Sequence, residues 1–242
     1  MRFGIIADIH GNLEALNSFL ALLSSKGFDR LVVAGDVVGY GADPAACLET
    51  VLQHDPVIIA GNHDWAVSGK IDTEYFNDMA KQAIDWTREV LSDDERERLD
   101  DFPLEATVEG IRVVHSTPVV PASWDYLLDQ DDVRRIQSEI SGITVIGHSH
   151  VPFVYGCDAD NDEFHTDPGG YRLATQWSYV INVGSIGQPR DGIPLASGAI
   201  LDTEEHHVEL LREPYPIDRA AEKILREPLL PDYLALRLFK GF

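Results

Sequence analysis

The sequence contains little cysteine, few basic residues and no long apolar run. Only two cysteines occur among 242 residues, and neither Cys47 nor Cys157 belongs to a Cys-x-x-Cys pair. A disulfide framework and a thiolate metal site are therefore excluded, and both residues are expected to be free thiols in the core. No apolar stretch approaches the roughly 18 residues that a membrane helix needs, and no secretory signal is visible. A cytoplasmic protein without a membrane anchor is expected.

Positive charge is also scarce. The chain has 19 Lys and Arg residues against 41 Asp and Glu residues, which gives a formal net charge of -22. Because nucleic-acid binding relies on clustered Lys and Arg, a long DNA or RNA duplex is a poor partner for such a surface. The acid excess fits a salt-adapted host, and an ordinary solvated acidic surface explains it as well.

Enough apolar material is present to build a substantial core. Hydrophobic residues make up 44% of the chain, and no internal repeat, low-complexity tract or linker divides it. One domain spanning residues 1–242 is therefore expected.

The first 64 residues alternate between strand-like and helix-like patterns. Three short apolar runs alternate with two segments of helical spacing, in the order Arg2–Ala7, Asn12–Lys26, Leu31–Ala34, Pro44–Gln53 and Val57–Ala60. This β-α-β-α-β series predicts a mostly parallel sheet covered by helices. In such sheets, ligands collect beyond the carboxyl ends of the strands.

The remainder of the chain has a different pattern. Thr73–Leu99 is polar and mostly helical, with a capping signal that begins at Ser92. Seven short strand candidates follow and imply a second sheet: Leu104–Val108, Ile111–His115, Thr144–Ile146, Phe153–Tyr155, Tyr179–Val183, Ala199–Leu201 and His207–Leu211. Between them, the acidic and Gly-containing segment Asp158–Gly170 indicates a surface loop. Ile217–Arg226 is the last predicted helix, and prolines separate it from a short tail.

Five groups of polar residues each directly follow a predicted strand. In chain order they are Asp8-Ile9-His10, Gly35-Asp36, Gly61-Asn62-His63-Asp64, His115 and Gly147-His148-Ser149-His150. Each group alone has an ordinary reading, as a turn, a loop or a core histidine. Together, their order and their strand-end positions favour one shared cleft. Carboxylate, carboxamide and imidazole ligands suit Mn²⁺, Fe²⁺, Ni²⁺, Co²⁺ or Zn²⁺ better than Mg²⁺ or Ca²⁺, which prefer oxygen-only shells.

This ordered set resembles the calcineurin-like metallophosphoesterases. Their pattern is Asp-x-His, Gly-Asp, Gly-Asn-His-Asp or Glu, His, and then Gly-His-x-His. The segments 39–44 and 182–190 are also similar to the small prokaryotic phosphodiesterase branch of the family. Protein Ser/Thr phosphatases and dinucleoside tetraphosphatases carry Asp-Arg-Gly after their Gly-Asp, whereas Val37 follows Asp36 here, which argues against those substrates. The resemblance implies an α/β fold, or α+β, built as a four-layer α/β/β/α sandwich of two stacked mixed sheets with flanking helices.

The resemblance also implies two divalent metal ions with Asp36 as their shared ligand. One ion would take Asp8, His10 and His150, and the other Asn62, His115 and His148. A shared carboxylate can hold two cations about 3.5 to 4 Å apart, and their charge lowers the pKa of a bridging water towards neutrality. The resulting hydroxide would attack phosphorus in line. Mn²⁺ is the preferred ion, with Fe²⁺, Ni²⁺, Co²⁺ and Zn²⁺ as alternatives.

Five further site residues are expected. His63 would face the leaving-group oxygen, as proton donor or as stabiliser of developing charge, and Asp64 would orient its imidazole. Arg190 is a candidate phosphate clamp because guanidinium binds phosphate in a bidentate manner, and a surface salt bridge is its alternative. Tyr40 and Asn12 are candidate substrate contacts, although Tyr40 could pack a loop and Asn12 also fits a helix cap.

The expected function is metal-dependent hydrolysis of a small phosphodiester. Phosphomonoesters or a nucleotide derivative are alternative substrates. A metal-binding protein-interaction scaffold is a rival from another class, because a retromer subunit has this general fold but lacks the histidine equivalent to His63. A nuclease also fits a metal pair but fits the acidic surface poorly. The physiological ester, the native metal and a homo-oligomeric state stay open.

Overall fold

In the computed structural model, which describes residues 1–242, the chain forms twelve strands and eight α-helices. The strands are β1 (Arg2–Ile6), β2 (Arg30–Ala34), β3 (Val57–Ile59), β4 (Glu105–Val108), β5 (Ile111–Val114), β6 (Ile143–Ile146), β7 (Phe153–Cys157), β8 (Asp162–His165), β9 (Gly169–Arg172), β10 (Ser178–Asn182), β11 (Ala196–Asp202) and β12 (His207–Glu213). The helices are α1 (Leu13–Lys26), α2 (Pro44–Leu52), α3 (Asn62–Ser68), α4 (Asp78–Val90), α5 (Asp93–Asp100), α6 (Gln130–Arg135), α7 (Ile217–Arg226) and α8 (Asp232–Leu238).

Two mixed sheets of six strands stack face to face. The strand order is β3-β2-β1-β11-β12-β9 in the first sheet and β4-β5-β6-β10-β7-β8 in the second. Strands β1, β2 and β3 run parallel, as the β-α-β-α-β pattern predicts. In the second sheet β5, β6 and β10 also run parallel. Each sheet therefore has a group of parallel strands whose carboxyl ends lie along the same edge.

The alternation of side chains along each strand creates the layers. Phe3 and Ile5 of β1 lie in the core between the two sheets, while Ile6 lies in the core beneath the helices. Seven of the helices contribute buried residues to this outer core of the first sheet, namely α1, α2, α3, α4, α5, α7 and α8. The thinner outer layer of the second sheet includes Val133 of α6. The predicted α/β/β/α sandwich is confirmed.

Local capping explains where two of the helices begin. The Asn12 side chain accepts a hydrogen bond from the Ala15 N–H at 3.1 Å, which satisfies one of the free donors at the start of α1. At the start of α5, the Ser92 N–H donates to the Glu95 carboxylate at 2.8 Å, as in a capping box. Both caps agree with the sequence prediction.

Several expectations for the second half are wrong. Asp158–Gly170 is not only a surface loop, because it contains all of β8 and the first two residues of β9. Not all the later strands form the second sheet, since β9, β11 and β12 extend the first one. The expected short tail contains α8. These additions complete both sheets and bring the end of the chain beside the first sheet's helices.

The expectation for the two cysteines agrees with the structure. Both cysteines are buried and free. The structure contains no helix that is both long and apolar enough to span a membrane.

Candidate metal centre

The five strand-end groups converge on one buried cluster. Their carboxylates, imidazoles and carboxamide follow β1, β2, β3, β5 and β6, and all of these side chains are buried. Ligand atoms within 4.8 Å of one another form three sets: Asp8, His10 and His150; Asp36, His115 and His148; and His10, Asp36 and His63. The first two sets follow the division expected from the sequence. The third places His63 beside His10 and the central Asp36.

Four of the histidines are oriented by main-chain carbonyl groups. One ring nitrogen of each lies within hydrogen-bond distance of a carbonyl oxygen: His10 Nδ1 with Val38 (3.1 Å), His115 Nδ1 with Ala34 (2.7 Å), His150 Nδ1 with Gln188 (2.5 Å) and His148 Nε2 with Trp124 (2.8 Å). A carbonyl only accepts, so that nitrogen carries the proton. The other nitrogen of each ring then faces the cluster, an arrangement typical of metal-binding histidines.

Two of these free nitrogens face each other without a proton between them. His10 Nε2 lies 3.1 Å from His150 Nε2. Burial lowers the pKa of both imidazoles well below the usual value, so each is neutral. Two lone pairs this close repel each other unless a cation lies between them. Asn62 Oδ1 is also buried without a hydrogen-bond partner. These unpaired acceptors fit divalent cations.

A proton is the alternative occupant of the other half of the cluster. His115 Nε2 lies 3.2 Å from His148 Nδ1. Burial lowers the pKa of His115, but Asp36 and Asp8 outweigh it and raise the value to about 9. Burial and the His115 charge lower the pKa of His148 to about 3. His115 therefore carries a proton in the metal-free protein, and a metal bound here would displace it.

The Asp36 carboxylate lies between the two halves. Its Oδ1 accepts the His63 N–H at 2.9 Å, and its Oδ2 lies 3.6 Å from His10 Nε2 and 3.3 Å from His115 Nε2. One oxygen is thus held by the main chain and the other faces both groups of imidazoles. This geometry suits a carboxylate shared between two cations.

The Asp8 carboxylate links β1 to the loop after β6. It accepts the His148 N–H at 2.9 Å through Oδ2, and its Oδ1 lies 3.2 Å from His150 Nε2. Residues 140 or more positions apart in the sequence are thereby held in one site.

Two motif glycines leave room for these carboxylates. A Cβ added at Gly147 would lie 2.5 Å from Asp8 Oδ2, and one added at Gly61 would collide with Asp36 Oδ1. The backbone is strained in the same place, because seven of the ten non-glycine residues with positive φ belong to this site: Asp8, His10, Asp36, Tyr40, Trp124, His148 and His150. Strain of this kind costs about 1–3 kcal/mol per residue and concentrates at functional sites.

His63 lies at the centre, but Asp64 does not orient it. The His63 ring centroid lies 4.9 Å from that of His10 and 4.5 Å from that of Tyr40, and its Nδ1 is buried without a hydrogen-bond partner. The Asp64 carboxylate instead accepts four main-chain N–H groups, those of residues 36, 37, 38 and 61. The expected role of Asp64 is therefore corrected: it joins the loop after β2 to the start of α3.

Burial lowers the pKa of His63 to about 4, although the Asp36 charge opposes this effect. Burial and the Asp36 charge raise the pKa of Asp64 to about 7, while main-chain hydrogen bonds oppose that shift. His63 is therefore a neutral imidazole near pH 7.

An aromatic cleft opens from the cluster. Its volume is about 440 Å³, and Asn62, His63 and His148 lie in its lining. Phe76, Trp124 and Tyr126, which the sequence reasoning missed, line it as well. The Tyr126 ring stacks on His148 with a centroid distance of 4.1 Å. Two aromatic residues in a Pro- and Ser-containing loop shortly after His115 were the available sequence signal.

The three candidate substrate contacts, Asn12, Tyr40 and Arg190, differ in their surroundings. Asn12 uses both ends of its amide within the protein, because Nδ2 donates to the Gly187 carbonyl in addition to the cap. We therefore do not retain it as a substrate contact. Tyr40 lines the cleft. The Arg190 guanidinium lies 5.8 Å from the centre of the Tyr40 ring, and no carboxylate lies within 4.0 Å of it, so the salt-bridge alternative is not observed.

Two stacked mixed sheets with a buried carboxylate, carboxamide and imidazole cluster at their strand ends are the framework of a metal-dependent hydrolase. The chain belongs to the calcineurin-like phosphoesterase superfamily, whose domain model matches residues 1–206. The resemblance predicted from the motifs is thus confirmed.

Three relatives span almost the whole chain. An uncharacterized protein of Methanocaldococcus jannaschii is 38% identical over 243 aligned residues, which cover 98% of this chain and 97% of that protein. The crystal structure of a metallophosphoesterase from Sphaerobacter thermophilus has a TM-score of 0.83 and 31% identity, and the match covers 100% of this chain and 99% of that one. A hypothetical protein from Pyrococcus horikoshii has the same fold, with a TM-score of 0.76 and 21% identity. The match covers 100% of this chain and 98% of that one.

Proposed function

We propose that this protein hydrolyses a phosphodiester with the aid of two divalent cations. The observation that supports this most strongly is the pair of imidazole groups on either side of Asp36, each with ring nitrogens turned inwards. In this proposal, Asp8, His10 and His150 hold one ion, Asn62, His115 and His148 hold the other, and Asp36 is shared. Mn²⁺ is the first choice for both positions, and the mixed nitrogen and oxygen ligands suit it.

Bound divalent cations supply positive charge against the phosphoryl oxygens and a water of lowered pKa. The chain's own residues hold the ligand atoms in place before substrate arrives. Main-chain carbonyls fix the histidine tautomers, and main-chain amides fix the two aspartates. Such preorganisation lowers the reorganisation needed during reaction.

His63 acts on the leaving-group oxygen. Its lowered pKa, about 4, leaves little imidazolium near neutral pH. Of the two roles expected from the sequence, stabilisation of the developing negative charge by a neutral imidazole N–H therefore fits better than full proton donation. Its ring position in the cleft lining supports this role.

The shape of the cleft supports a diester over a monoester. A phosphodiester carries two esterified groups, and the second one needs space and contact area beyond the metal ions. The cleft of about 440 Å³ offers an apolar wall for that group in Phe76, Trp124 and Tyr126. Aromatic side chains bury large apolar areas and favour such contacts. The substrate is a small molecule in this proposal, and a cytoplasmic location stays a prediction.

The test compares bis(p-nitrophenyl) phosphate with p-nitrophenyl phosphate. Protein stripped with chelator and reloaded with Mn²⁺, Ni²⁺ or Zn²⁺ is assayed for p-nitrophenolate release. We expect metal-dependent turnover with a higher kcat/KM on the diester. Asp36→Asn should bind fewer metal ions and lose activity, while His165→Ala, on the distant strand β8, should behave like the wild type. Metal-saturated protein that hydrolyses neither compound would favour the scaffold.

A further inference from the structure

Two arginines of this acidic protein lack an Asp or Glu partner although they are half-buried. Seven of the 14 arginines are half-buried. Five of them have an Asp or Glu oxygen within 4.0 Å, namely Arg2, Arg88, Arg96, Arg112 and Arg212. Arg190 and Arg237 are the two that do not. Because 41 acidic residues are available, a half-buried guanidinium without one is unusual and suggests an external anion.

The two arginines belong to neighbouring segments. Arg190 lies in the loop after β10, and Arg237 lies in the last turn of α8. The Gly192 N–H of that loop donates to the Gly241 carbonyl at 2.8 Å, which ties the loop to the end of the chain. Burial lowers the pKa of Arg237, and the Arg190 charge lowers it further. The two charges are thus close enough to affect each other's ionisation.

The partners that they do have leave positive charge in excess. The Arg190 Nε and Nη2 atoms donate to one neutral oxygen, Gln188 Oε1, at 3.3 and 2.8 Å. Arg237 Nε donates to the main-chain oxygen of Phe242 at 2.5 Å. If the Phe242 oxygen belongs to a terminal carboxylate, it supplies one negative charge, whereas Arg190 and Arg237 together carry two positive charges. Each guanidinium has five N–H donors, so several remain for a ligand.

This basic pair borders the metal centre. The Arg190 guanidinium lies over the Tyr40 ring, whose centroid lies 4.7 Å from that of His10. Gln188, which accepts from Arg190, also accepts from His150 through its main-chain carbonyl. Arg190 therefore lies beside the half of the site formed by Asp8, His10 and His150, and the contact between Gly192 and Gly241 brings the segment that carries Arg237 to the same loop.

We propose that Arg190 and Arg237 form a second anion subsite that binds a phosphate group other than the one being cleaved, carried by the substrate or free in solution. Guanidinium groups bind phosphate through paired N–H donors. The inference rests on the proposed phosphodiesterase function and adds to it a class of ligand. Arg237 lies beyond residues 1–206, the part matched by the family model, so the subsite is not a feature of the family domain alone.

The test uses two substrates that differ by one phosphate group. Thymidine 5′-(p-nitrophenyl phosphate) is compared with the same compound phosphorylated at its 3′-oxygen. In the wild type, we expect the added phosphate to raise kcat/KM about tenfold, as one charge-assisted contact would. Arg237→Gln should reduce this ratio to near one, and Arg237→Lys should give an intermediate value. Arg172→Gln, an exposed arginine on β9, is the matched control and should keep the wild-type ratio.

A second arm tests free phosphate as the ligand. Inorganic phosphate is titrated as an inhibitor of bis(p-nitrophenyl) phosphate hydrolysis in the same variants. A subsite for free phosphate predicts inhibition that weakens about tenfold in Arg237→Gln and not in Arg172→Gln. If the wild-type ratio is near one and phosphate inhibition is the same in all variants, the subsite is refuted. The proposed function then still stands, because turnover of the simple diester tests it separately.

Discussion

Replacing Gly147 by alanine should reduce metal affinity without a comparable loss of folding stability. The added Cβ would lie 2.5 Å from Asp8 Oδ2 and 2.7 Å from the Ala7 Cβ. Ordinary contact begins at 3.4 Å, so the carboxylate oxygen must retreat by about 0.9 Å. Metal–ligand distances tolerate only about 0.2 Å. The shift also disturbs the hydrogen bond from the His148 N–H to that oxygen.

The expected result is a fall in Mn²⁺ affinity of about 10- to 100-fold, the usual cost of disturbing a ligand's support. Gly142→Ala is a matched control because Gly142 and Gly147 flank the two ends of β6. A Cβ at Gly142 meets nothing within 4 Å, although its φ is +64°. The Gly142→Ala variant should therefore lose about 1 kcal/mol of folding stability through backbone strain and keep the metal affinity of the wild type.

Isothermal titration with Mn²⁺ measures the affinity, and thermal unfolding in chelator measures the stability. The reasoning is refuted if Gly147→Ala binds Mn²⁺ as tightly as the wild type. It is also refuted if both alanine variants lose the same metal affinity, because the Asp8 contact would then not be the cause.

Two further predictions concern His63 and the protons of the site. His63→Ala should retain Mn²⁺ binding but lower kcat on bis(p-nitrophenyl) phosphate about 10²- to 10⁴-fold, and loss of bound metal in this variant would contradict its assigned role. The pKa of His115 is raised to about 9, so this residue is protonated at pH 7 in the metal-free protein. Mn²⁺ must displace that proton, so Mn²⁺ affinity should rise about tenfold per pH unit between pH 7 and pH 9. Calorimetry in buffers of different ionisation enthalpy should detect about one proton released at pH 7, and a pH-independent affinity would contradict this prediction.

The candidate site was predictable because each of its ligands follows closely after the end of a strand in the sequence. A strand followed by Asp8 or Asp36 is a short-range pattern, and the convergence of parallel strands supplies the long-range step. The first turn of α3 was less evident, since Asn62 and Asp64 favour loops as much as helices. The Gly61 N–H donates to the Asp64 carboxylate at 3.0 Å. An acidic residue three positions after Gly61 was therefore the sequence signal for the start of this helix.

The features that were missed depend on tertiary contacts. All four residues of β8 are only half-buried, so its sequence lacks the alternation that marks a strand with one buried face. Strand β9 begins with Gly169 and Gly170, which favour turns in isolation, and it is held by pairing with β12. The aromatic wall of the cleft combines Phe76, which precedes α4, with Trp124 and Tyr126 from a later loop, and no local sequence pattern connects them. The role of Asp64 likewise depended on distant N–H groups.

Anomalous diffraction from Mn²⁺-loaded crystals tests most directly whether two neighbouring cations bind in the one buried cluster. Two manganese peaks about 3.5 to 4 Å apart are expected. One should contact the Nε2 atoms of His10 and His150, the other should contact His115 Nε2 and His148 Nδ1, and Asp36 should touch both. A single peak in the saturated protein, or two peaks without a shared Asp36, would contradict this expectation.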